Sequence, residues 1–329
     1  METLEIVVVC YALLSCIFSL CVIGTILFFQ KMRSGNFMPI ILFMSISDLG
    51  LNLMSALGFP TSGSPLCWIQ GVFATFFTLS GWFWTTILAY RVYSMVRYGG
   101  CKLRLWQMHT IAWGLPVLLT ALPLSTTNYG STAGSEQWCL FLQRGNNPHW
   151  LMAFWSYSTF LIWLIICIIL MLAWQCIILY KFRDSAMKAV IRRTYDKVYL
   201  YPLAMIVCWT LNVVCDDVYD SSITLNALSM MFAISNGIIS AVIFMIKSEE
   251  ARRRWSTYLF PQRDRAESDF NQVVEPDIRL DFEQDDDELP PSEYGGTDYT
   301  GTSIVTRTSA MSERDESMVT HNPIGNADL

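Results

Sequence analysis

The chain has 329 residues, 53% hydrophobic and only 15% charged, with a formal net charge of −6. Soluble domains carry about a quarter charged residues, and none accommodates so many long uncharged runs. Three histidines in all also argue against a zinc-dependent membrane hydrolase, which needs several His or acidic ligands.

Seven apolar stretches follow one another at residues 6–29, 39–59, 68–90, 106–124, 150–180, 198–215 and 223–246. A helix needs about 20 apolar residues to cross the hydrocarbon core, because each adds about 1.5 Å. The expected fold class is therefore an all-α membrane protein, a seven-transmembrane helix bundle occupying residues 1–259. The first stretch has Glu2 and Glu5 where a cleaved signal would have a basic leader, so it is expected to remain as the first helix.

The second stretch holds Asp48, the lone carboxylate of all seven. A mid-membrane carboxylate costs several kcal/mol unless paired, hydrated or protonated, which marks it as functional by default. Asn52 stands one helical turn away on the same face. Asn212 in stretch six and Asn236 in stretch seven are the nearest polar candidates from elsewhere. Asp48, Asn52, Asn212 and Asn236 are expected to form an inward polar network that repacks between states around water or a cation, with Asn236 as partner to Asp48. The alternative is a neutral, hydrogen-bonded Asp48 with a packing role.

The fourth stretch contains His109, and the seventh contains no lysine, so a retinal protein linked through that helix is disfavoured. No internal repeat or matched pair of Gly/Pro-broken helices favours the other rival, a small polytopic membrane transporter.

Lys and Arg set the orientation. Lys31 and Arg33 follow stretch one, Arg91, Arg97, Lys102 and Arg104 follow stretch three, and Lys181 to Lys197 follow stretch five. Lys247, Arg252, Arg253 and Arg254 follow stretch seven, while the opposite side offers only Arg144. Basic loops stay cytoplasmic, so the N-terminus is expected outside and the C-terminus inside, in the plasma membrane.

Most of the ten cysteines lie in the stretches as small apolar filler, and Cys101 faces the reducing cytoplasm. Cys67, at the outer start of stretch three, and Cys139, in the next outer loop, both face an oxidising compartment. A bridge between them would pin that loop over the mouth of the bundle. The alternative is two unpaired outer thiols.

After stretch seven, residues 248–259 are expected to form a short amphipathic helix on membrane lipid, with Trp255, Tyr258, Leu259 and Phe260 as apolar anchors. From Phe260 on, 5 basic residues face 17 acidic ones. This acidic, Ser/Thr-rich tail, residues 260–329, is expected to be disordered, since it buries too little to offset the entropy of ordering. Thr306, Thr308, Ser309, Ser312 and Ser317 are its candidate phosphate acceptors, with a solubilising tail as the alternative.

Tyr199-Leu200-Tyr201-Pro202-Leu203 running into Cys208-Trp209 resembles the sixth helix of the cyclic-AMP-receptor-like family of G-protein-coupled receptors, known from slime moulds. Ser47-Asp48-Leu49 and Lys247-Ser248-Glu249-Glu250-Ala251-Arg252-Arg253-Arg254-Trp255 fit the same resemblance, which covers residues 1–259. It implies a receptor, with no catalytic residues, no cofactor and no metal, that senses an extracellular small ligand and activates a heterotrimeric G protein. It implies coupling residues Arg91, Tyr93, Arg192 and Arg193, and ligand-pocket residues Trp209, Asn212, Asp216 and Asn226. A kinase and an arrestin-like protein would act on the tail, and nucleic acid has no part.

Two departures separate the chain from the rhodopsin-like class. Ala89-Tyr90-Arg91-Val92-Tyr93 lacks an acid before its arginine, although Arg91 keeps a similar spacing, 24 residues after Cys67. Stretch seven has Asn236-Gly237 where that class has Asn-Pro. The outer face pairs Arg144 and His149 against Glu136, Asp216, Asp217 and Asp220. That balance suits a cationic or neutral ligand better than a phosphate, which recruits Arg, Lys or a helix N-terminus.

Overall fold

The computed structural model describes residues 2–33, 35, 37–61, 63–126, 128–130, 139–142, 149–183, 195–218 and 223–259. All the described residues belong to one compact unit, and residues 275–329 are assigned to a second. The second unit lies outside the described residues, with Thr306, Thr308, Ser309, Ser312 and Ser317; so do Arg192 and Arg193.

The first stretch becomes α1 (Glu2–Phe28), and a single turn, α2 (Gln30–Arg33), leads to α3 (Met38–Ser55). Helix α4 (Pro65–Tyr98) opens with Ser64 accepting the Cys67 N–H at 3.2 Å and Pro65 in the first turn, where a missing N–H costs nothing. It runs 34 residues and ends at Gly99, whose φ of 75° favours a residue without a Cβ. The apolar run 68–90 is only its middle, so Arg91 and Tyr93 lie within the helix.

The fourth rod is α5 (Leu105–His109), a π turn (Thr110–Gly114) and α6 (Leu115–Ala121). Pro116 has no N–H and its ring crowds the carbonyl of Ala112; the wider π turn absorbs both defects. The fifth rod is α7 (His149–Ser156), a second π turn (Tyr157–Leu161) and α8 (Ile162–Arg183). Helices α9 (Leu200–Val218), α10 (Ile223–Lys247) and α11 (Glu249–Leu259) complete the described chain. Pro202 falls in the first turn of α9, a position that tolerates proline without a kink.

Among the described residues, 6 helices are long and apolar enough to cross a membrane: Leu4–Phe28, Met38–Ser55, Pro65–Tyr98, Leu105–Ser125, Ala153–Lys181 and Ala227–Lys247. Helix α9 covers most of the sixth apolar stretch. Large apolar side chains such as Ile17, Trp106, Val117, Ile169 and Ile246 stand exposed, while Ser15, Asp48, Asn52, Ser80 and Asn236 are buried. That inside-out distribution suits helices whose solvent is lipid.

Helix α3 lies against α1, α4 and α10, and α9 packs along α10. Gly50 sets the α3–α4 approach, because a Cβ there would stand 2.5 Å from the Phe77 ring. Helix α11 folds back onto α1. Trp255 Nε1 donates to Thr25 Oγ1 at 3.1 Å, and its ring lies parallel to Phe28 with centroids 6.2 Å apart. Ala251 is fully buried beneath it, and Arg252 donates to the Met245 and Ile246 carbonyls that end α10.

Candidate functional site

Three levels of the bundle carry the candidate residues, named outer for the end that holds the α4 N-terminus and inner for the end that holds its C-terminus. At the outer level Cys67 is disulfide-bonded to Cys139, 72 residues on. Cys139 precedes β2 (Leu140–Leu142), which pairs antiparallel with β1 (Asn128–Gly130), Tyr129 opposite Phe141. The hairpin lies flat on the head of α4 because Gly71 has no side chain: a Cβ there would stand 2.5 Å from the Cys139 carbonyl oxygen. Tyr129 donates its hydroxyl to the Thr120 carbonyl at 2.9 Å, and burial raises its hydroxyl's pKa.

The same end has two further ties. Gln70 Nε2 donates to the Met54 and Gly58 carbonyls at 2.9 and 2.8 Å, closing the end of α3. Glu5 Oε1 accepts the Phe59 N–H at 3.1 Å. Helices α1, α3 and α4 are therefore bound together at their outer ends.

At the middle level the four network residues fall into three groups. Asn236 Nδ2 donates to Asp48 Oδ1 at 3.0 Å, both residues being 7% exposed. Asn52 turns to α1 instead: its Nδ2 donates to Ser15 Oγ at 2.7 Å, and Ser15 donates to the Ile234 carbonyl at 3.0 Å. Asn212 stands apart, donating to the Ser229 carbonyl and hydroxyl at 2.9 and 2.8 Å, while Ser229 donates back to its carbonyl at 3.1 Å. That clasp joins α9 to α10.

Gly237 lets α10 press into the Ser15–Asn52 pair, since a Cβ there would meet Ser15 Oγ at 2.7 Å and Asn52 Nδ2 at 2.8 Å. Ser19 Oγ, Asn52 Oδ1, Asn236 Oδ1 and Ser80 Oγ are buried without a hydrogen-bond partner. Such acceptors and hydroxyls suit small polar guests, water above all. Ser15, Ser19, Ser229 and Gly237 were not among the expected site residues.

Trp209 meets Trp82 edge to face at 4.8 Å, and Trp82 in turn meets Phe160 at 6.1 Å. The pair joins α4, α9 and the fifth rod at mid-bundle. For Asp216 and Asn226 only the backbone is described, at the outer end of α9 and the start of α10.

At the inner level Arg91 and Tyr93 point to different sides of α4, as positions two apart on a helix must. Tyr93 stacks on Trp174 of α8, centroids 6.1 Å apart. The Arg91 guanidinium lies 5.8 Å from the Phe37 ring centre. Beyond it, Lys247 approaches the Tyr199 ring to 5.8 Å, tying the inner ends of α9 and α10.

The sequence profile of the slime mold cyclic AMP receptor family matches residues 2–295. The chain belongs to that family. The match runs past residue 259, where the sequence motifs stop, into the acidic segment. Shorter stretches are similar to "G-protein coupled receptor 157" of Homo sapiens, 31% identical over 93 residues, covering 26% of this chain and 28% of that one. The Rattus norvegicus protein is 37% identical over 79 residues, covering 22% of this chain and 24% of its own length. The matched stretches thus span under a third of these relatives. The fold is also that of squid rhodopsin, with a TM-score of 0.59 at 15% identity, covering 84% of this chain and 92% of that crystal structure. This member of the family is therefore an integral membrane receptor of the G-protein-coupled type and not an enzyme.

Proposed function

We propose that the protein is a plasma-membrane receptor with seven spans, α9 being the sixth, an extracellular N-terminus and a cytoplasmic C-terminus. It senses an extracellular small ligand and activates a heterotrimeric G protein. The observation that carries this reading is the family match across residues 2–295. The one-sided distribution of Lys and Arg supports the orientation.

Asp48, Asn52 and Asn236 act as the polar core that repacks between states. Arg91 and Tyr93, with Arg192 and Arg193 of the inner loop, meet the G protein. Trp209 and Asn212, with Asp216 and Asn226 above them, line the ligand site, whose surroundings favour a cationic or neutral ligand. Helix α11 lies along the inner leaflet as an eighth helix, with Tyr258 and Leu259 exposed toward lipid. Phosphorylation at Thr306, Thr308, Ser309, Ser312 and Ser317 adds about −1.5 to −2 charges each and recruits an arrestin-like protein.

Nucleotide exchange on G protein co-reconstituted with the receptor tests this reading. Arg91→Ala abolishes exchange while leaving membrane insertion intact, and undiminished exchange in that variant rejects it. Truncation after Phe260 preserves signalling and prolongs the response; unchanged kinetics reject the tail's role.

A further inference from the structure

Arg91 occupies an unusual setting for a buried-edge cation. Tyr90, not an acid, precedes it, and among the described residues no carboxylate pairs with it. Its Nε is shut off from solvent and meets no acceptor. What it does meet is the Phe37 ring, 5.8 Å from the guanidinium carbon to the ring centre.

Phe37 is a fixed platform. It is 9% exposed and belongs to the same buried cluster as Ile40, Met44, Leu88 and Val92. As the residue capping α3, it accepts the Ile40 and Ile41 N–H groups on its carbonyl, each at 3.1 Å. Its backbone is held while its ring faces α4. Gly50, further along α3, lets the two helices approach closely, since a Cβ there would stand 2.5 Å from the Phe77 ring.

We propose that Phe37 is the positioning residue for Arg91, holding the guanidinium in its resting orientation through the face of its ring. This rests on the reading above that Arg91 couples to the G protein. A planar, weakly hydrated guanidinium suits an aromatic face, and shielding from water strengthens the attraction. The contact neutralises no charge and satisfies no N–H. Carbonyl or carboxylate oxygens on an incoming partner offer charge-assisted hydrogen bonds, which are stronger, so the guanidinium transfers to them on engagement. An acid partner would hold the same group more tightly and would have to be displaced or protonated.

The test uses the full-length receptor in lipid nanodiscs, with two readouts. The first is ligand-independent binding of a non-hydrolysable guanosine triphosphate analogue to a panel of purified heterotrimeric G proteins. Phe37→Leu keeps apolar volume and removes the ring face, and raises this basal exchange roughly two- to tenfold; Phe37→Tyr restores the wild-type rate. The second is the ¹⁵Nε–H resonance of Arg91, assigned by its loss in Arg91→Lys. It shifts in Phe37→Leu, as the ring current vanishes, and stays in place in Phe37→Tyr.

Pentafluorophenylalanine at position 37 keeps the shape and reverses the ring's polarity, so it serves if the leucine variant does not fold, with the same exchange expected as for leucine. An Arg91 resonance that does not move in Phe37→Leu overturns the proposal, as does wild-type basal exchange in both ring-altered variants. Exchange that survives Arg91→Ala rejects the coupling role instead, and the resonance still decides whether Phe37 holds the guanidinium.

Discussion

Asn236 of α10 donates a 3.0 Å hydrogen bond to Asp48 of α3, joining residues 188 positions apart in the interior of the bundle. It ties the seventh rod to the second at their buried centre. The bond leaves Asn236 Oδ1 without a partner. Replacing Asp48 by Ala removes the acceptor and strands Asn236 as well. The expected cost is about 1–3 kcal/mol. The exchanged pair, Asp48→Asn with Asn236→Asp, retains most of the stability because donor and acceptor merely trade sides. A double-mutant cycle by thermal unfolding in detergent measures the coupling, expected at about 0.5–2 kcal/mol.

Gly237→Ala places a methyl 2.7 Å from Ser15 Oγ and 2.8 Å from Asn52 Nδ2. Helix α10 must then withdraw, and the expected loss is about 1–3 kcal/mol. Adding Ser15→Ala relieves one of the two clashes and recovers part of it. Equal melting temperatures for wild type and Gly237→Ala would show that the close approach is not needed.

Cys67→Ser and Cys139→Ser each remove the same bridge. Both are expected to cost about 2–5 kcal/mol and to lower surface expression alike, with the double replacement no worse than either. Cys101→Ser leaves expression unchanged. Non-reducing peptide mapping that recovers the 67–139 pair checks the chemistry directly.

Helix α11 separates packing from surface charge. Glu250 meets Arg254 at 2.5 Å and Arg253 at 3.2 Å, with its side chain 42% exposed. The hydrogen bond from Arg254 holds its carboxyl below the usual carboxylate range. A depressed carboxyl stabilises above its unfolded pKa, and that contribution is lost as pH falls through the folded value. Exposed pairs of this spacing are worth only about 0.3–0.5 kcal/mol. Glu250→Gln is therefore nearly silent at pH 7, and the difference from wild type disappears once pH is below the depressed folded value. Trp255→Ala, which loses the Thr25 hydrogen bond and the Phe28 and Phe29 contacts, costs about 3–5 kcal/mol. Tryptophan emission and melting curves at both pH values compare the two.

Much of this architecture is visible in the chain before folding. Long uncharged runs announce rods, and a lone carboxylate inside one of them announces a buried polar centre. Asp48 stands out because its cost in lipid is large. Ser15, Ser19 and Ser229 do not, because a hydroxyl satisfied by its own helix is cheap and common within apolar runs. Gly237 becomes meaningful only when α10 meets α1 and α3. Asn212 resembles Asn236 by composition, yet the packing of α9 on α10 gives it a different partner. Phe37, next to a loop, has the sequence appearance of an interfacial anchor. Its relation to Arg91 arises from two helices whose contact no local pattern encodes. The three-residue strands at Asn128 and Leu140 are too short for alternation to reveal.

The bracing at the outer ends of α1, α3 and α4 has a mechanical consequence. Helix α4 is 34 residues long, so it extends about 51 Å, and Arg91 stands about 36 Å along it from Cys67. With the disulfide as fulcrum, a tilt of about 3° carries Arg91 about 2 Å sideways at that lever arm. In the receptor proposed above, a ligand needs to supply only a slight rotation near the fulcrum, and helix length supplies the amplification. Stiffness at one end and travel at the other are two aspects of the same beam.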